Sequence, residues 1–234
     1  MISIITCTNR SDKMMRIFEN YESQTLKNKE LIIILNNDSM DISTWRAQAE
    51  QYGGVSVFQM PERKTVSECK NFAVAKTSYD YIAKFDDDDY YSPTYLESTW
   101  SAFTQYKRAD IVGKSSVYYY FQISNCLGLF PSSCENTFTE QVVDSTLAFK
   151  KTIFNTVQFT KMKMGSDKKF QRDCRAKGFH IYSTDRYNHA VIRSGKPNLH
   201  TWKISDEHLK KKCINHVYTE DYESLVNAQE DRLF

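Results

Sequence analysis

Four consecutive aspartates, Asp86 to Asp89, are the residues of this chain whose type and spacing point most directly to chemistry. They follow "YDYIAKF", a stretch typical of a buried strand. In an extended segment alternate side chains share a face, which predicts two pairs, Asp86 with Asp88 and Asp87 with Asp89. Two carboxylates about 5 Å apart repel by about 3 kcal/mol at an effective dielectric constant of about 20. A cleft that holds such a pair must therefore raise a pKa or bind a cation.

A hard divalent cation, Mn²⁺ or Mg²⁺, would relieve this repulsion, because it prefers carboxylate oxygens and also binds the phosphate oxygens of a substrate. That chemistry indicates a nucleoside diphosphate as the ligand. The alternative is a solvated acidic turn before a helix that begins at Ser92 and Pro93, where negative charge near the helix N-terminus is mildly favourable. The pattern alone leaves both interpretations open.

The composition excludes several other kinds of protein. Of 234 residues, 41% are hydrophobic and 14% aromatic, which indicates a folded globular chain. A formal net charge of +2 gives no electrostatic signature for nucleic acid. The longest aliphatic run, "LIIIL", is far short of the about 20 residues of a transmembrane helix, and the N-terminus lacks a signal pattern, so we expect a cytoplasmic protein. Six cysteines without a CxxC pair predict reduced thiols.

Strand and helix patterns alternate through the first half of the chain and must position the aspartates. The runs "ISIITCT", "ELIIIL", "VSVFQM" and "DYIAKF" predict four strands, and a capping box at Thr65 and Glu68 opens the third of the helices between them. Strands joined by helical crossovers predict a mostly parallel, three-layer α/β sheet. Ligands of such sheets bind beyond the carboxyl ends of the strands where strand order reverses, so the aspartates lie at the expected mouth.

Sequence patterns in the second half of the chain predict further strands and helices. "ADIVGKSSVYYYFQIS", "VDSTLAFKK", "FHIYST" and "HAVIR" are typical of strands, and His189 in the last of these is expected to be structural. Ser166 is a candidate N-cap for a helix that ends at Gly178, and residues 205–231 have a helical pattern.

Several segments, in this order, resemble the glycosyltransferases of the GT-A fold, most closely those of family 2. They are "ISIITCTNR", "LIIILNNDS", "CKNFAVAKTSYDYIAKFDDDD" and "MGSDKKFQRDCRAKGF". The resemblance covers about residues 1–200 and implies a single GT-A catalytic domain over 1–204, with a nucleotide-sugar-binding half (1–112) and a smaller acceptor and catalytic-base half (113–204). Residues 205–234 would form a C-terminal helical extension.

The resemblance also implies a donor site. Asp86 would contact the ribose, Asp87 would lie beside it, and Asp88 would bind a Mn²⁺ or Mg²⁺ ion on the diphosphate of a nucleotide-sugar, with a UDP-sugar favoured. The positions that match the rest of this site are Thr6, Thr8, Asn37 and Lys70. This chain departs from the family pattern at three of them. Thr8 stands where an aromatic residue is common, Asn37 where an aspartate is common, and Lys70 where an arginine is common. An asparagine amide both donates and accepts, and a lysine lacks the planar fork of arginine.

Asp167 is the candidate catalytic base, because it matches the aspartate of the "ED" pair of the family at a helix start, with Ser166 in place of the glutamate. In an inverting transfer this carboxylate takes the proton of the acceptor hydroxyl as the hydroxyl oxygen attacks the anomeric carbon. The alternative role for Asp167 is to complement the helix dipole. His200, in "PNLHTW", is a candidate second metal ligand, and its alternative is a packed or hydrogen-bonded histidine.

The expected partners are a nucleotide-sugar and a glycan or other hydroxyl acceptor, in polysaccharide or surface glycan synthesis. Two other functions remain open: a sugar nucleotidyltransferase, whose Gly-rich basic signature is missing, and a non-catalytic nucleotide-sugar or glycan binding module. Tyr222, Leu225 and Val226 form an apolar stripe near the C-terminus, which favours either packing on the catalytic domain or a homodimer through the C-terminal helices.

Overall fold

The first half of the chain forms the alternating strands and helices that its sequence predicts. The structure is a computed structural model and describes residues 1–162, 164–195 and 203–227. The elements of the first half are β1 (Ile2–Thr8), α1 (Met14–Glu22), β2 (Lys29–Leu35), α2 (Ile42–Ala49), β3 (Val55–Gln59), α3 (Val66–Lys76) and β4 (Tyr81–Lys84). Helix α3 begins with the predicted capping box, in which Thr65 and Glu68 satisfy each other's backbone N–H groups.

The second half contains shorter strands and four more helices among the described residues. They are β5 (Tyr90–Tyr91), α4 (Tyr95–Gln105), β6 (Ile111–Lys114), β7 (Val117–Phe121), β8 (Cys126–Phe130), β9 (Thr137–Thr139), β10 (Ala148–Lys150), α5 (Ser166–Ala176), β11 (Ile181–Thr184), β12 (His189–Arg193), α6 (Asp206–Lys210), β13 (Ile214–Tyr218) and α7 (Tyr222–Asn227). The longest helices, α3, α4 and α5, have 11 residues each. None of the helices in these ranges has the length and apolar character needed to span a membrane.

The larger of two sheets has the strand order β3-β2-β1-β4-β10-β6-β11-β9. Strands β3, β2, β1 and β4 are parallel, and β6 and β11 run in the same direction because the antiparallel strand β10 separates β4 from β6. Six strands therefore place their carboxyl ends at one edge, which we call the carboxyl edge. The strand order reverses between β1 and β4, so the loops after these two strands meet there.

Helices cover both faces of this sheet, which confirms the predicted three layers. On one face Phe18 and Trp45 of α1 and α2 pack with Phe103 of α4 against the sheet. On the other face the core includes Val74 of α3 and Phe170 of α5. Strands β1 and β2 are buried on both sides, as expected from apolar runs that do not alternate with polar residues. All six cysteines are free thiols, as predicted.

The smaller sheet has the order β13-β8-β7-β12-β5, and the sequence did not reveal it as a separate sheet. Strand β5 begins directly after Asp89 and pairs with β12, so this sheet starts at the aspartate run. Helix α7 packs on it through Tyr222, whose ring lies 4.1 Å from that of Tyr120, and through Val226. The sheet therefore covers two residues of the apolar stripe, while Leu225 stays exposed.

The prediction that residues 205–231 are helical is wrong for Ile214–Tyr218, which form strand β13 antiparallel to β8. All five of its side chains are exposed, so no hydrophobic period distinguishes this strand in the sequence. Pairing with the edge of β8 decides its conformation, which is a tertiary effect. Strand β13 lies after residue 204 and pairs with β8, which lies before it, so strands from both sides of the predicted domain boundary share one sheet. The boundary at residue 204 stays a prediction.

Gly113 of β6 offers a test of how tightly the loop from Val142 to Thr146 is packed on the larger sheet. An alanine methyl at this position would lie 2.6 Å from Val142 Cγ2 and 3.0 Å from the Thr146 carbonyl oxygen. We expect Gly113→Ala to lower the free energy of unfolding by about 1–3 kcal/mol, because the loop must move away from the strand. Urea unfolding followed by circular dichroism measures this change.

Gly53→Ala is the matched control, since no atom lies within 4 Å of its added methyl group. We expect this control to change the free energy of unfolding by less than about 0.5 kcal/mol. Equal unfolding midpoints for the two variants would contradict the packing described for Gly113.

Candidate active site

The four aspartates form a turn at the carboxyl edge, immediately after β4 and beside the end of β1. We call residues 86–89 the aspartate turn. The prediction of an extended segment is wrong, because Asp87 and Asp88 lie in a hydrogen-bonded turn before β5. The side chains of Asp86 and Asp88 are 37% and 21% exposed, whereas those of Asp87 and Asp89 are 9% and 4% exposed. Only the first and third carboxylates are thus open to a ligand.

Arg10, in the loop after β1, compensates the charge of two members of the turn. Its guanidinium forms an ion pair with both Asp87 and Asp88, at 2.9 Å from the Asp88 Oδ2, and its Nε donates to Asp87 at 3.1 Å. Thr8, the last residue of β1, donates its hydroxyl to the same Asp87 carboxylate at 2.5 Å. Sequence reasoning missed Arg10, although it lies only two residues after the first strand. The chain itself therefore supplies part of the positive charge that the clustered carboxylates require.

Lys84, the last residue of β4, compensates Asp86. Its ammonium group lies 2.7 Å from the Asp86 carboxylate and donates to the Asp144 carbonyl oxygen at 2.9 Å. Burial lowers the pKa of Lys84, but Asp86, Asp167 and Asp144 raise it by more, so the lysine stays charged. A buried lysine inside a strand pattern is unusual enough to have marked this residue in the sequence.

Asp89 anchors the turn to the rest of the molecule rather than facing the edge. Its carboxylate accepts the Ile192 N–H of β12 at 3.0 Å, and its carbonyl oxygen accepts the Asn20 side-chain amide of α1 at 2.9 Å. His189 is fully buried with its Nε2 3.7 Å from Asp89, and burial lowers its pKa to about 3, so it is neutral. These contacts agree with the structural role expected for His189.

The turn keeps an excess of negative charge despite Arg10. Burial, followed by repulsion from Asp89, raises the pKa of Asp88 to about 7, although Arg10 acts in the opposite direction. Among residues 1–162, 164–195 and 203–227, no three His, Cys, Asp or Glu side chains form a ready-made metal site. One or two carboxylates together with substrate phosphates are nevertheless the usual ligands of Mg²⁺. The open oxygens of Asp86 and Asp88 fit a hard cation that is shared with a diphosphate.

Asp167 lies in the first turn of α5, with both carboxylate oxygens 2.7 Å from the Lys70 ammonium group of α3. Burial raises the pKa of this carboxyl, but Lys84 and Lys70 lower it by more, so the net shift is downward. The N-cap of α5 is Gly165 in a left-handed conformation, so the expectation of a Ser166 cap is wrong. The structure thus brings Lys70 to the candidate base, a contact that the sequence did not predict.

The remaining candidate residues lie at different places. Thr6 is buried inside β1. Asn37 follows β2, and its side-chain oxygen accepts from the backbone and hydroxyl of Ser39 at 2.9 and 2.7 Å while its amide donates to the Asn9 carbonyl. These bonds are typical of a turn residue. His200 lies outside the described residues.

Comparisons with known proteins agree with this fold. The model of glycosyl transferase family 2 matches residues 3–165, more than two thirds of the chain. The chain belongs to this family. No curated protein matches the sequence.

Solved structures of one transferase, Staphylococcus aureus TarS, share the fold. TarS 1-349 superposes with a TM-score of 0.64 at 13% identity, over 85% of this chain and 61% of that one. The same fragment in complex with UDP-GlcNAc gives 0.64 and 13%, over 82% and 58%. The chain thus spans about three fifths of TarS 1-349, and identity this low shows only that the fold is GT-A.

The Arg10–Asp87 pair offers a test of charge compensation in the turn. We expect a double-mutant cycle of Arg10→Gln and Asp87→Asn to give a coupling energy of about 1 kcal/mol or more, because the pair is bidentate and mostly buried. Unfolding in urea at neutral pH measures the four free energies of the cycle.

Lys169 and Asp173 are the matched control, an ion pair 2.5 Å apart on α5 whose side chains are about 30% exposed. A coupling energy of about 0.3–0.5 kcal/mol is expected for such a helical pair. If the Arg10 cycle gave no larger value than this control, the guanidinium would not be the counter-charge of the turn.

Proposed function

We propose that this protein is a metal-dependent, inverting glycosyltransferase that moves a sugar from a nucleotide-diphosphate donor, with a UDP-sugar favoured, to an acceptor hydroxyl. The observation that carries the proposal is that the pKa values of two carboxyl groups at the carboxyl edge are shifted in opposite directions. The pKa of Asp88 is raised, whereas that of Asp167 is lowered. Family membership and the binding of UDP-GlcNAc by TarS, a protein of the same fold, support this donor class.

In this proposal the open face of the aspartate turn binds the donor. Asp86 contacts the ribose, and Asp88 binds a Mn²⁺ or Mg²⁺ ion together with the donor diphosphate. Asp87 acts through Thr8 and Arg10, whose contacts fix the turn. When bound, the metal neutralises the negative charge that develops on the leaving diphosphate.

The remaining residues of the donor site are proposed from their positions in the chain and the fold. Thr6 lies two residues before the end of β1, Asn37 lies two residues after the end of β2, and both are proposed to belong to the nucleotide site. His200 is proposed as a second metal ligand from its sequence position alone. Lys70 pairs with Asp167, so its proposed role is to position the catalytic base rather than to contact the nucleotide.

Asp167 is proposed to accept the proton of the acceptor hydroxyl. The two lysines keep its carboxylate ionised at neutral pH, as a base requires, and the Lys70 ion pair fixes its orientation. A single displacement by the activated oxygen inverts the anomeric centre. The ammonium group of Lys70 also balances the charge of Asp167 until an acceptor arrives.

The proposed acceptor is a glycan or another hydroxyl compound, in polysaccharide or surface glycan synthesis at the cytoplasmic side. A homodimer through the C-terminal helices is also proposed, although two apolar residues of α7 pack on the smaller sheet. Family membership supports sugar transfer over the two alternative functions.

The first functional prediction concerns Asp88. We expect Asp88→Asn to abolish the Mn²⁺-dependent part of UDP binding and to weaken it by about tenfold or more, since a charged ligand of the ion is lost. Isothermal titration with UDP, with and without Mn²⁺, measures this effect. Asp173→Asn, on the surface of α5, is the control and should bind as the wild type does. Unchanged metal dependence in the Asp88 variant would remove this residue from the metal site.

The second functional prediction concerns Asp167. We expect Asp167→Asn to keep donor binding and to slow Mn²⁺-dependent turnover of the donor by about 10²–10⁴-fold, the usual contribution of a general base. Slow hydrolysis of UDP-GlcNAc gives a readout that needs no acceptor.

Lys70→Met tests the same base by pH. Removing one neighbouring cation raises the pKa of Asp167, so the acid limb of the rate profile should move to higher pH. An acid limb that stays in place in Lys70→Met, or full activity in Asp167→Asn, would show that another group is the base.

A further inference from the structure

The loop from Val142 to Thr146 is fastened to the helix that carries the candidate base. Gln171 of α5 is fully buried, and its side-chain oxygen accepts the Val142 N–H at 2.8 Å while its amide donates to the Val142 carbonyl at 3.1 Å. Gln171 comes one helical turn after Asp167. The loop therefore has a fixed position relative to the Asp167 carboxylate.

This loop brings a further carboxylate, Asp144, to the carboxyl edge. The Asp144 carbonyl accepts from Lys84, and its Oδ1 lies 3.5 Å from the Gln171 amide. Asp144 is half-buried, and both Asp167 and, more weakly, Asp86 repel its charge. Lys84 and Gln171 therefore hold Asp144 near Asp86 and near the helix that carries Asp167.

Asp144 differs from its neighbours in how its charge is compensated. Asp86 pairs with Lys84, Asp167 pairs with Lys70, and Arg10 serves Asp87 and Asp88. Within the ranges that the structure describes, the Asp144 carboxylate forms no ion pair. The half-buried Asp144 carboxylate has the Gln171 amide as a partner at 3.5 Å and keeps lone pairs that can accept hydrogen bonds from a ligand.

The charges around Asp144 decide what kind of ligand this is. Lys84 and Lys70 both act on its carboxylate from nearby, so a further cation would meet two ammonium groups. A neutral group that donates hydrogen bonds meets no such repulsion. Sugar hydroxyls are donors of this kind, and a carboxylate accepts them strongly.

The geometry of a direct displacement identifies which sugar. The anomeric carbon must lie between the leaving diphosphate and the attacking oxygen, that is, between the aspartate turn and Asp167. A side chain that is held near both ends can reach the ring of the transferred sugar. We propose that the Asp144 carboxylate accepts hydrogen bonds from hydroxyl groups of the donor sugar. This inference rests on the proposed function and adds a sugar-binding residue to it.

The test compares a nucleotide with its sugar derivative in the presence of Mn²⁺. Titrations use UDP against UDP-GlcNAc, GDP against GDP-mannose and dTDP against dTDP-glucose, with the wild type, Asp144→Asn and the control Asp173→Asn. We expect Asp144→Asn to bind the nucleoside diphosphate within about twofold of the wild type and the nucleotide-sugar about tenfold more weakly. The control should change neither affinity.

Two results would overturn the proposal while leaving the proposed function intact. If both affinities of Asp144→Asn fell equally, or if neither fell, Asp144 would not contact the sugar. If the wild type bound none of the three pairs, the proposed function itself would fail, and this inference with it.

A melting curve at pH 8 shows whether the Asp144 variant is folded. We expect its melting temperature to equal or exceed that of the wild type, because asparagine keeps the shape of the side chain and removes a half-buried charge. Asp144→Ala provides a second variant with the same expected loss of sugar-dependent affinity. A folded Asp144→Ala that kept wild-type affinity for the nucleotide-sugar would also overturn the proposal.

Discussion

Compensation of clustered carboxylates at the carboxyl edge is the constraint on which the rest of the structure depends. Parallel strands that end together bring polar residues from distant parts of the chain to one line, and here four of them are the consecutive aspartates of the aspartate turn. Each buried carboxylate costs free energy unless a cation or several donors face it. Arg10, Lys84 and Lys70 supply these cations from the β1 loop, β4 and α3. The site is therefore built from the central elements of the fold and not from surface loops alone.

This dependence explains which parts could be predicted from the sequence. The first four strands and three helices follow from local signals, namely unbroken apolar runs, helical spacing and the Thr65 capping box. The aspartate run and Asp167 stand out because a recognisable motif surrounds each of them. The mouth of the site follows in turn from the rule on strand order.

The contacts that complete the site have no local signal. Arg10 and Asp87 are 77 residues apart, and Lys70 and Asp167 are 97 apart, so only the assembled sheet brings them together. Strand β13 was missed for a related reason, since its exposed side chains carry no period and its partner β8 is distant in sequence. No motif marks Asp144 in "VVDSTL", and its position in the site depends on a contact with Gln171 of α5. Pairings of this kind are tertiary facts.

The order of charges along the edge suits the charge changes of the proposed transfer. Negative charge grows on the diphosphate, where the turn and its cations would meet it, and a proton leaves the acceptor, where Asp167 is kept ionised. Positive charge develops on the sugar ring between them, as in other oxocarbenium-like transition states. A carboxylate at this middle position stabilises that charge more as the reaction proceeds, whereas a lysine there would oppose it. Within the described part of the chain Asp144 has no ion pair, which is consistent with the proposed contact to the sugar ring.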